Sequence, residues 1–315
     1  RSRLVKSDAP ATVLGRGERL MAPKTFIQLA DPQFGLFARF SGQTAEAIAV
    51  LQARGLNIKP APQTSGFADE TRLFEAAINV ANTLRPAFVV VCGDIVNQWN
   101  DDAQAEEALR IGALLDDGID LHWVAGNHDV GADDGHTIPT HESLARYRAN
   151  FGPDNYAFQH ENDSFIVLNT AVLQHPEETP GELDALMEFL ETELRVARNR
   201  QSRHTILFTH HPLFLKQPDE DVADEAHLTI PIERRRPVLD LLHEYGVAAV
   251  FAGHWHRNNY AGTGDMEMVA SGSVGYPFGN DPSGYRVVHL DDARPKHDWY
   301  AMDELPEQSD ANSAT

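Results

Sequence analysis

Hydrophobic positions along the chain fall into short runs that alternate with longer stretches of helical periodicity. The short runs predict strands at 26–31, 87–93, 121–125, 204–209, 247–252, 266–271 and 285–290, and a strand hairpin at 156–170. The helical stretches predict helices at 43–54, 69–84, 101–116, 140–150, 182–198 and 232–245. In the helix at 182–198, one stripe carries Leu186, Leu190 and Leu194, and charged residues lie elsewhere. The alternation predicts an α/β fold.

The segments between these elements set the expected domain organisation. Stretches rich in Pro, Gly or charge predict irregular structure at 57–68, 172–181, 215–231 and 276–284. Residues 1–24 are predicted to form an irregular basic arm, and residues 305–315 a flexible tail. No break divides the chain between them, so we expect one domain at 25–304.

Polar side chains that can bind metal follow five of the predicted strands. Asp31 and Gln33 end the first, and the other four end in Asp94, in Asn127 to Asp129, in His210 and His211, and in His254 and His256. Functional groups of an open α/β sheet gather beyond the carboxyl ends of its strands, so we expect these side chains to meet in one crevice. A buried carboxylate without a partner costs several kcal/mol, so the cluster needs a ligand.

The expected ligand is metal. Carboxylate, amide and imidazole donors suit Mn, Fe or Zn, and one carboxylate shared by two ions produces a dinuclear site. Gly93, Gly126 and Gly253 each precede a donor and permit close approach of the backbone. Asp31 and Gln33 are two residues apart, so in extended chain they point to the same side, and the same holds for His254 and His256. The single cysteine, Cys92, excludes a Cys-based zinc site.

Composition narrows the class of partner. The net charge is -21, which disfavours binding to nucleic acid or to anionic membranes. No apolar segment approaches the roughly 18 residues of a spanning helix. One buried-type cysteine suits a reducing compartment, so the sequence favours a cytoplasmic location while leaving a removed leader open.

The order "DPQ", "GD", "GNHD", "HH", "GHWH" over residues 25 to about 304 resembles the metallophosphoesterase, or calcineurin-like phosphoesterase, superfamily. Most members have His where Gln33 stands. The strings "ADPQFGL", "VCGDIVN", "AGHWHRN" and "DPSGYRVV" are similar to the calcineurin-like phosphoesterase domain-containing serine/threonine phosphatase subfamily, in which Gln is the usual residue. This resemblance implies a four-layer αββα sandwich of two mixed β-sheets with the metals at the carboxyl ends of strands.

The resemblance also implies roles for individual residues. It assigns the first metal to Asp31, Gln33, Asp94 and His256, and the second to Asp94, Asn127, His210 and His254, so that Asp94 bridges the ions. His128 would protonate the leaving oxygen, and Asp129 is the candidate that orients its imidazole. Many phosphoprotein phosphatases use an Asp at the position of Asn97 for that purpose. Asn97 is therefore taken as a candidate substrate-binding residue. His211, beside His210, is a second candidate if it reaches the rim of the site; its alternative role is structural packing beside Pro212.

The implied activity is hydrolysis of a phosphate ester by in-line attack of a metal-bound hydroxide, with phosphoserine or phosphothreonine in a protein as the favoured substrate. One alternative is a phosphodiesterase acting on nucleotides or lipid head groups. Another is a binding module stabilised by metal, which the presence of His128 with a complete ligand set disfavours. The acidic run 219–225 is either a solvated loop or a rim that repels polyanions and favours a substrate with basic flanks. The expected partner is a phosphorylated protein or a small phosphoester substrate.

Overall fold

The computed structural model describes residues 24–131, 138–220, 228–290 and 293–305. The predicted basic arm, except for Lys24, lies outside these residues, as do most of the acidic run 219–225 and the tail after Leu305. Those three expectations therefore stay predictions.

The first of two β-sheets has five strands in the order β11, β10, β1, β2, β3. Strands β1, β2 and β3 run parallel, with β3 at one edge of the sheet. Strands β10 and β11 continue the sheet on the other side, each antiparallel to its neighbours. Their bounds are β1 Thr25–Leu29, β2 Phe88–Cys92, β3 Asp120–Val124, β10 Gly284–His289 and β11 Lys296–Ala301.

The second sheet has six strands in the order β4, β5, β6, β7, β9, β8. The inner four run parallel, and the two edge strands β4 and β8 are antiparallel to their neighbours. Their bounds are β4 Tyr156–His160, β5 Asp163–Val167, β6 Thr205–Phe208, β7 Ala249–Ala252, β8 Asn259–Thr263 and β9 Met266–Ala270. Both sheets are thus mixed, as predicted.

The helices of the described residues connect these strands. Their bounds are α1 Leu36–Phe40, α2 Ala45–Ala53, α3 Ala68–Leu84, α4 Asp102–Gly112, α5 Asn127–Val130, α6 His141–Phe151, α7 Thr170–Gln174, α8 Glu182–Asn199 and α9 Ile232–Tyr245. The predicted leucine stripe of α8 is buried at Leu186, Leu190 and Leu194. None of these helices has the length and apolarity needed to span a membrane.

Alternation along the buried strands explains the layering. In β2, Phe88, Val90 and Cys92 belong to the core that contains inward residues of both sheets, whereas Val89 and Val91 belong to the core that contains the helices. Successive side chains of a strand point to opposite faces, so a strand buried on both faces is apolar throughout. Stacked and edge-to-face phenylalanine rings, among them Phe26 and Phe208, fill the space between the sheets. The predicted αββα sandwich is confirmed.

Two strands and three short helices were missed by the hydrophobic pattern. Strands β8 and β11 are edge strands whose residues are half-buried or exposed, so neither contains a long apolar run. Helix α7 begins within the predicted hairpin and continues into the stretch 172–181, which was predicted to be irregular. Its N-cap Asn169 accepts hydrogen bonds from the backbone of Ala171 and Val172, which starts a helix directly after β5.

Candidate active site

The predicted side chains meet where the loops after β1, β2, β3, β6 and β7 converge. Backbone hydrogen bonds join these loops: Asp31 N donates to the Gly93 carbonyl at 3.1 Å, and Gly253 N donates to the His210 carbonyl at 3.0 Å. The His254 backbone N–H reaches the Asp31 carboxylate at 3.0 Å and so links the two sheets. The crevice is therefore built from strand ends of both sheets.

One group of donors surrounds Asp31, Asp94 and His256. One ligand atom of each lies within 4.8 Å of the others, and His256 Nε2 is 3.3 Å from Asp31 Oδ1. His256 Nδ1 donates to the Tyr276 carbonyl at 2.6 Å, which leaves Nε2 to bind a cation. Gln33 Oε1 is buried and accepts no hydrogen bond within the described ranges, as expected of an oxygen that awaits a metal.

A second group of donors surrounds His210. Its Nε2 atom lies 2.9 Å from Asn127 Oδ1, 3.1 Å from His254 Nδ1 and 3.3 Å from Asp94 Oδ1. Its Nδ1 atom donates to the Cys92 carbonyl at 2.9 Å, which fixes Nε2 as the ligand atom. Asp94 thus belongs to both groups. The mixture of oxygen and imidazole donors fits two ions of the Mn, Fe or Zn type.

The charges of the two groups are strongly coupled. Burial alone raises the pKa of the Asp94 carboxyl, but the imidazoles of His210 and His128 lower it well below its usual range. Burial alone lowers the pKa of His210, but the Asp94 carboxylate raises it to about 9. A proton on His210 therefore takes the place that a cation would fill when it binds.

The backbone conformation at the donors differs from the sequence prediction. Asp31, Gln33, Asp94, His254 and His256 all have positive φ, between 39° and 65°, and lie beyond the last strand residues. Alternation of side chains along an extended strand therefore does not explain how Asp31 acts with Gln33 or how His254 acts with His256. That part of the prediction is wrong. The chain turns through the left-handed region instead, a conformation that is uncommon for residues with a side chain and is concentrated at functional sites.

The glycines that precede donors are needed for space. A Cβ at Gly253 would lie 2.6 Å from the Cys92 carbonyl oxygen and 2.7 Å from Asp31 Oδ2. A Cβ at Gly126 would overlap the backbone nitrogen of Asp94. Contacts this short are not tolerated, so any larger residue would displace Asp31 or Asp94.

His128 lies at the rim, half-buried beside the second group. Its Nδ1 atom donates to the Asn97 backbone carbonyl at 3.0 Å, and its backbone N–H donates to Asp94 Oδ1 at 2.9 Å. The carbonyl of Asn97, rather than a carboxylate, therefore orients the imidazole. A backbone carbonyl leaves no signal in the side-chain pattern, so sequence reasoning missed it. The Asn97 side chain lies 3.5 Å from Gln33 Nε2.

The Asp129 carboxylate makes its hydrogen bonds to the backbone rather than to the His128 ring. Its carboxylate accepts from the backbone N–H groups of Ile95 at 2.8 Å and Val96 at 2.9 Å through one oxygen, and from Gly126 at 2.8 Å through the other. The carboxylate therefore joins the loop after β2 to the loop after β3. The predicted role of Asp129 in orienting His128 is wrong, because these contacts hold it against the backbone.

His211 is fully buried, and its ring centroid lies 4.4 Å from that of His254. Its Nδ1 atom is 3.1 Å from the Thr170 hydroxyl. Burial and the imidazoles of His254 and His210 keep the pKa of His211 well below its usual range. Sequence reasoning missed Thr170 because it lies at the start of α7, after β5, and β5 is not followed by any of the predicted metal ligands.

Comparison with known proteins identifies the family of this chain. The family model for calcineurin-like phosphoesterases matches residues 24–258. The chain is 34% identical to the serine/threonine-protein phosphatase CPPED1 of Bos taurus over 293 residues, which are 91% of this chain and 86% of the relative. It is 28% identical over 210 residues, 65% of this chain and 64% of the relative, to a Rhodococcus erythropolis protein named probable cyclic nucleotide phosphodiesterase.

The fold is also that of a solved enzyme. The crystal structure of a dimetal phosphatase from Danio rerio superposes with a TM-score of 0.59 over 90% of this chain and 98% of that one, at 17% identity. The family model covers most of the sandwich and every predicted donor. The chain therefore belongs to the calcineurin-like phosphoesterase family.

Proposed function

We propose that this phosphoesterase hydrolyses phosphate monoesters, with phosphoserine and phosphothreonine side chains of proteins as substrates. Membership of the family makes the chain a hydrolytic enzyme and leaves the metal-stabilised binding module without support. The observation that carries the proposal is the relative named serine/threonine-protein phosphatase, which aligns with 91% of this chain.

The two donor groups support binding of two ions, with Asp94 between them. When bound, the ions supply activation of water and neutralisation of the phosphoryl charge. Asp31, Gln33 and His256 would hold the first of them. Asn127, His210 and His254 would hold the second.

His128 is the proposed proton donor. Its Nδ1–H is occupied by the Asn97 carbonyl, and its Nε2 has no hydrogen-bond partner within the part of the chain that the structure describes. The contact orients the ring, and in the proposed step a proton passes from Nε2 to the leaving oxygen. A serine or threonine alkoxide needs such a proton because it is a poor leaving group.

Charge favours a substrate with basic flanks. The chain carries a net charge of -21, and we propose that this field attracts phosphopeptides rich in Lys and Arg. Two peptides with the same phosphoserine, one with basic and one with acidic flanks, test this. The basic peptide should have the higher kcat/KM. The difference in kcat/KM between the two peptides should decrease as the salt concentration is raised, because salt screens the charges. Equal values at low salt would contradict the proposal.

A phosphodiesterase is the second candidate, favoured by the partial match to the named phosphodiesterase. The deciding experiment measures kcat/KM of manganese-loaded protein on a phosphoserine peptide, a cyclic nucleotide and a bis-aryl phosphate, with Asp94→Asn as the inactive control. We expect the monoester to be hydrolysed fastest. Diesters ahead by tenfold or more, about 1.4 kcal/mol in barrier, would overturn the monoesterase proposal.

A further inference from the structure

The His211 side chain lies beside the second donor group without belonging to the predicted ligand set. One of its ring nitrogens lies within 4.8 Å of a ring nitrogen of His210 and of His254. Its Nε2 atom is buried and has no hydrogen-bond partner among the described residues. Distance alone therefore allows two roles for His211: an additional metal ligand, or a hydrogen-bond donor to whatever binds there.

Thr170 decides between these roles. Its hydroxyl oxygen accepts from the backbone N–H of His210 at 3.3 Å and of His211 at 2.9 Å. A hydroxyl oxygen has two lone pairs, so both are used by these two donors. Toward His211 Nδ1, at 3.1 Å, the hydroxyl can then only donate its own hydrogen. Nδ1 must be the acceptor, and the proton of the neutral ring must lie on Nε2.

A protonated Nε2 cannot ligate a metal. A cationic ring is excluded by the same count, because an Nδ1–H would find no lone pair on Thr170. What remains is a buried N–H donor without an acceptor, which is unfavourable until a ligand supplies one. An oxygen of a bound anion is the acceptor that this site would receive.

We propose that His211 donates a hydrogen bond from Nε2 to a phosphoryl oxygen of phosphate held in the site, and that Thr170 fixes the tautomer required for it. The inference deepens the proposed function, because it rests on a phosphoryl group occupying the centre. The donor is preorganised: the His211 carbonyl accepts from Thr209 Oγ1 at 3.0 Å, and its backbone N–H is held by Thr170.

Two substitutions separate the donor role from packing. In His211→Gln the amide nitrogen reaches about as far as imidazole Nε2, whereas in His211→Asn it reaches only about as far as Nδ1. We expect inorganic phosphate to bind zinc-loaded His211→Asn about tenfold to 100-fold more weakly than wild type, measured by calorimetry, and His211→Gln to recover most of the loss. Both variants should retain two zinc ions.

Loss of a zinc ion from His211→Asn would overturn the proposal, because it would make His211 a ligand. Unchanged phosphate affinity in both variants, with both ions bound, would overturn it as well. Inorganic phosphate is also a fragment of diester substrates. Failure of the protein-phosphatase proposal would therefore leave this result unaffected, and the two failures are distinguishable.

The tautomer is measurable in the unmodified protein. Nitrogen-15 NMR of histidine-labelled, zinc-loaded wild type should show His211 protonated at Nε2 and unprotonated at Nδ1. Thr170→Ser keeps the hydroxyl and should keep this pattern, while Thr170→Val should lose it. A proton on Nδ1 of His211 in the wild type would refute the proposal even if the variants fail to fold.

Discussion

Asp129 offers the sharpest test of structure against sequence. The motif suggests that its carboxylate orients His128, whereas the structure gives the carboxylate three backbone partners and pairs His128 Nδ1 with the Asn97 carbonyl. Replacing Asp129 should therefore act mainly on stability and on the geometry of the metal loops. It should not act on proton transfer.

The expected magnitude follows from the partners. Asp129→Ala would leave the N–H groups of Ile95, Val96 and Gly126 buried without an acceptor, and each such group costs about 1–3 kcal/mol. Water entering the space left by the carboxylate would offset part of the sum, so we expect a loss of about 3–5 kcal/mol. Asp129→Asn keeps one oxygen for two N–H groups and turns an amide toward the third. Its expected loss is about 1–3 kcal/mol.

Denaturant unfolding of metal-free wild type and both variants measures these losses. Activity on a phosphoserine peptide and on para-nitrophenyl phosphate, at saturating metal, measures proton transfer separately. We expect Asp129→Asn to slow both substrates by the same factor, because misplaced loops affect metal binding equally for each. An unchanged unfolding midpoint, together with a selective loss on the phosphoserine peptide, would refute the structural argument and restore the orienting role.

Four further predictions address the remaining site residues. Asp94→Asn should remove nearly all activity and lower the content of both ions, because this carboxylate lies in both donor groups; full turnover with two ions bound would contradict this. Gln33→His should keep hydrolysis and change the order of affinities for Mn, Fe and Zn in metal titrations, because imidazole replaces an amide oxygen; an inert protein with both ions bound would count against it. His128→Ala should slow a phosphoserine peptide about 10²- to 10⁴-fold and para-nitrophenyl phosphate clearly less, since nitrophenolate leaves without a proton; equal losses would show that His128 does not donate one. In metal-free protein, burial lowers but the Asp94 carboxylate raises the pKa of His210, from 6.5 to about 9. The stability from this pair is fully present below pH 6.5 and should be lost as pH rises to about 9, so denaturant midpoints that stay constant over this range would refute the coupling.

The hydrophobic pattern predicted the buried strands well because those strands are apolar on both faces. In β2 every residue is buried, so the run "FVVVC" has no other reasonable interpretation. The edge strands β8 and β11 escaped because their residues are half-buried or exposed, and β11, "KHDWYA", begins with three polar residues. Such a segment becomes a strand because it pairs with a neighbouring strand. The residue pattern of the segment alone carries no information about that pairing.

In the candidate site, the residue types were predictable from the sequence, but the backbone conformation was not. The gathering of these side chains in one crevice was predictable, because each follows an apolar run and carries an oxygen or imidazole. Their mutual arrangement was not, because it depends on turns rather than on strand alternation. The contacts of His128 and His211 also depend on the Asn97 carbonyl and the Thr170 hydroxyl, which belong to other segments of the chain.

Left-handed backbone at the donors has a physical consequence for the family site. A residue with a side chain in this region costs of order 1 kcal/mol or more, and five donors adopt it together. Backbone bonds such as Gln33 N to the Asp94 carbonyl, at 2.9 Å, join these turns to one another. Hydrogen bonds within the protein therefore offset part of the cost of the left-handed conformations.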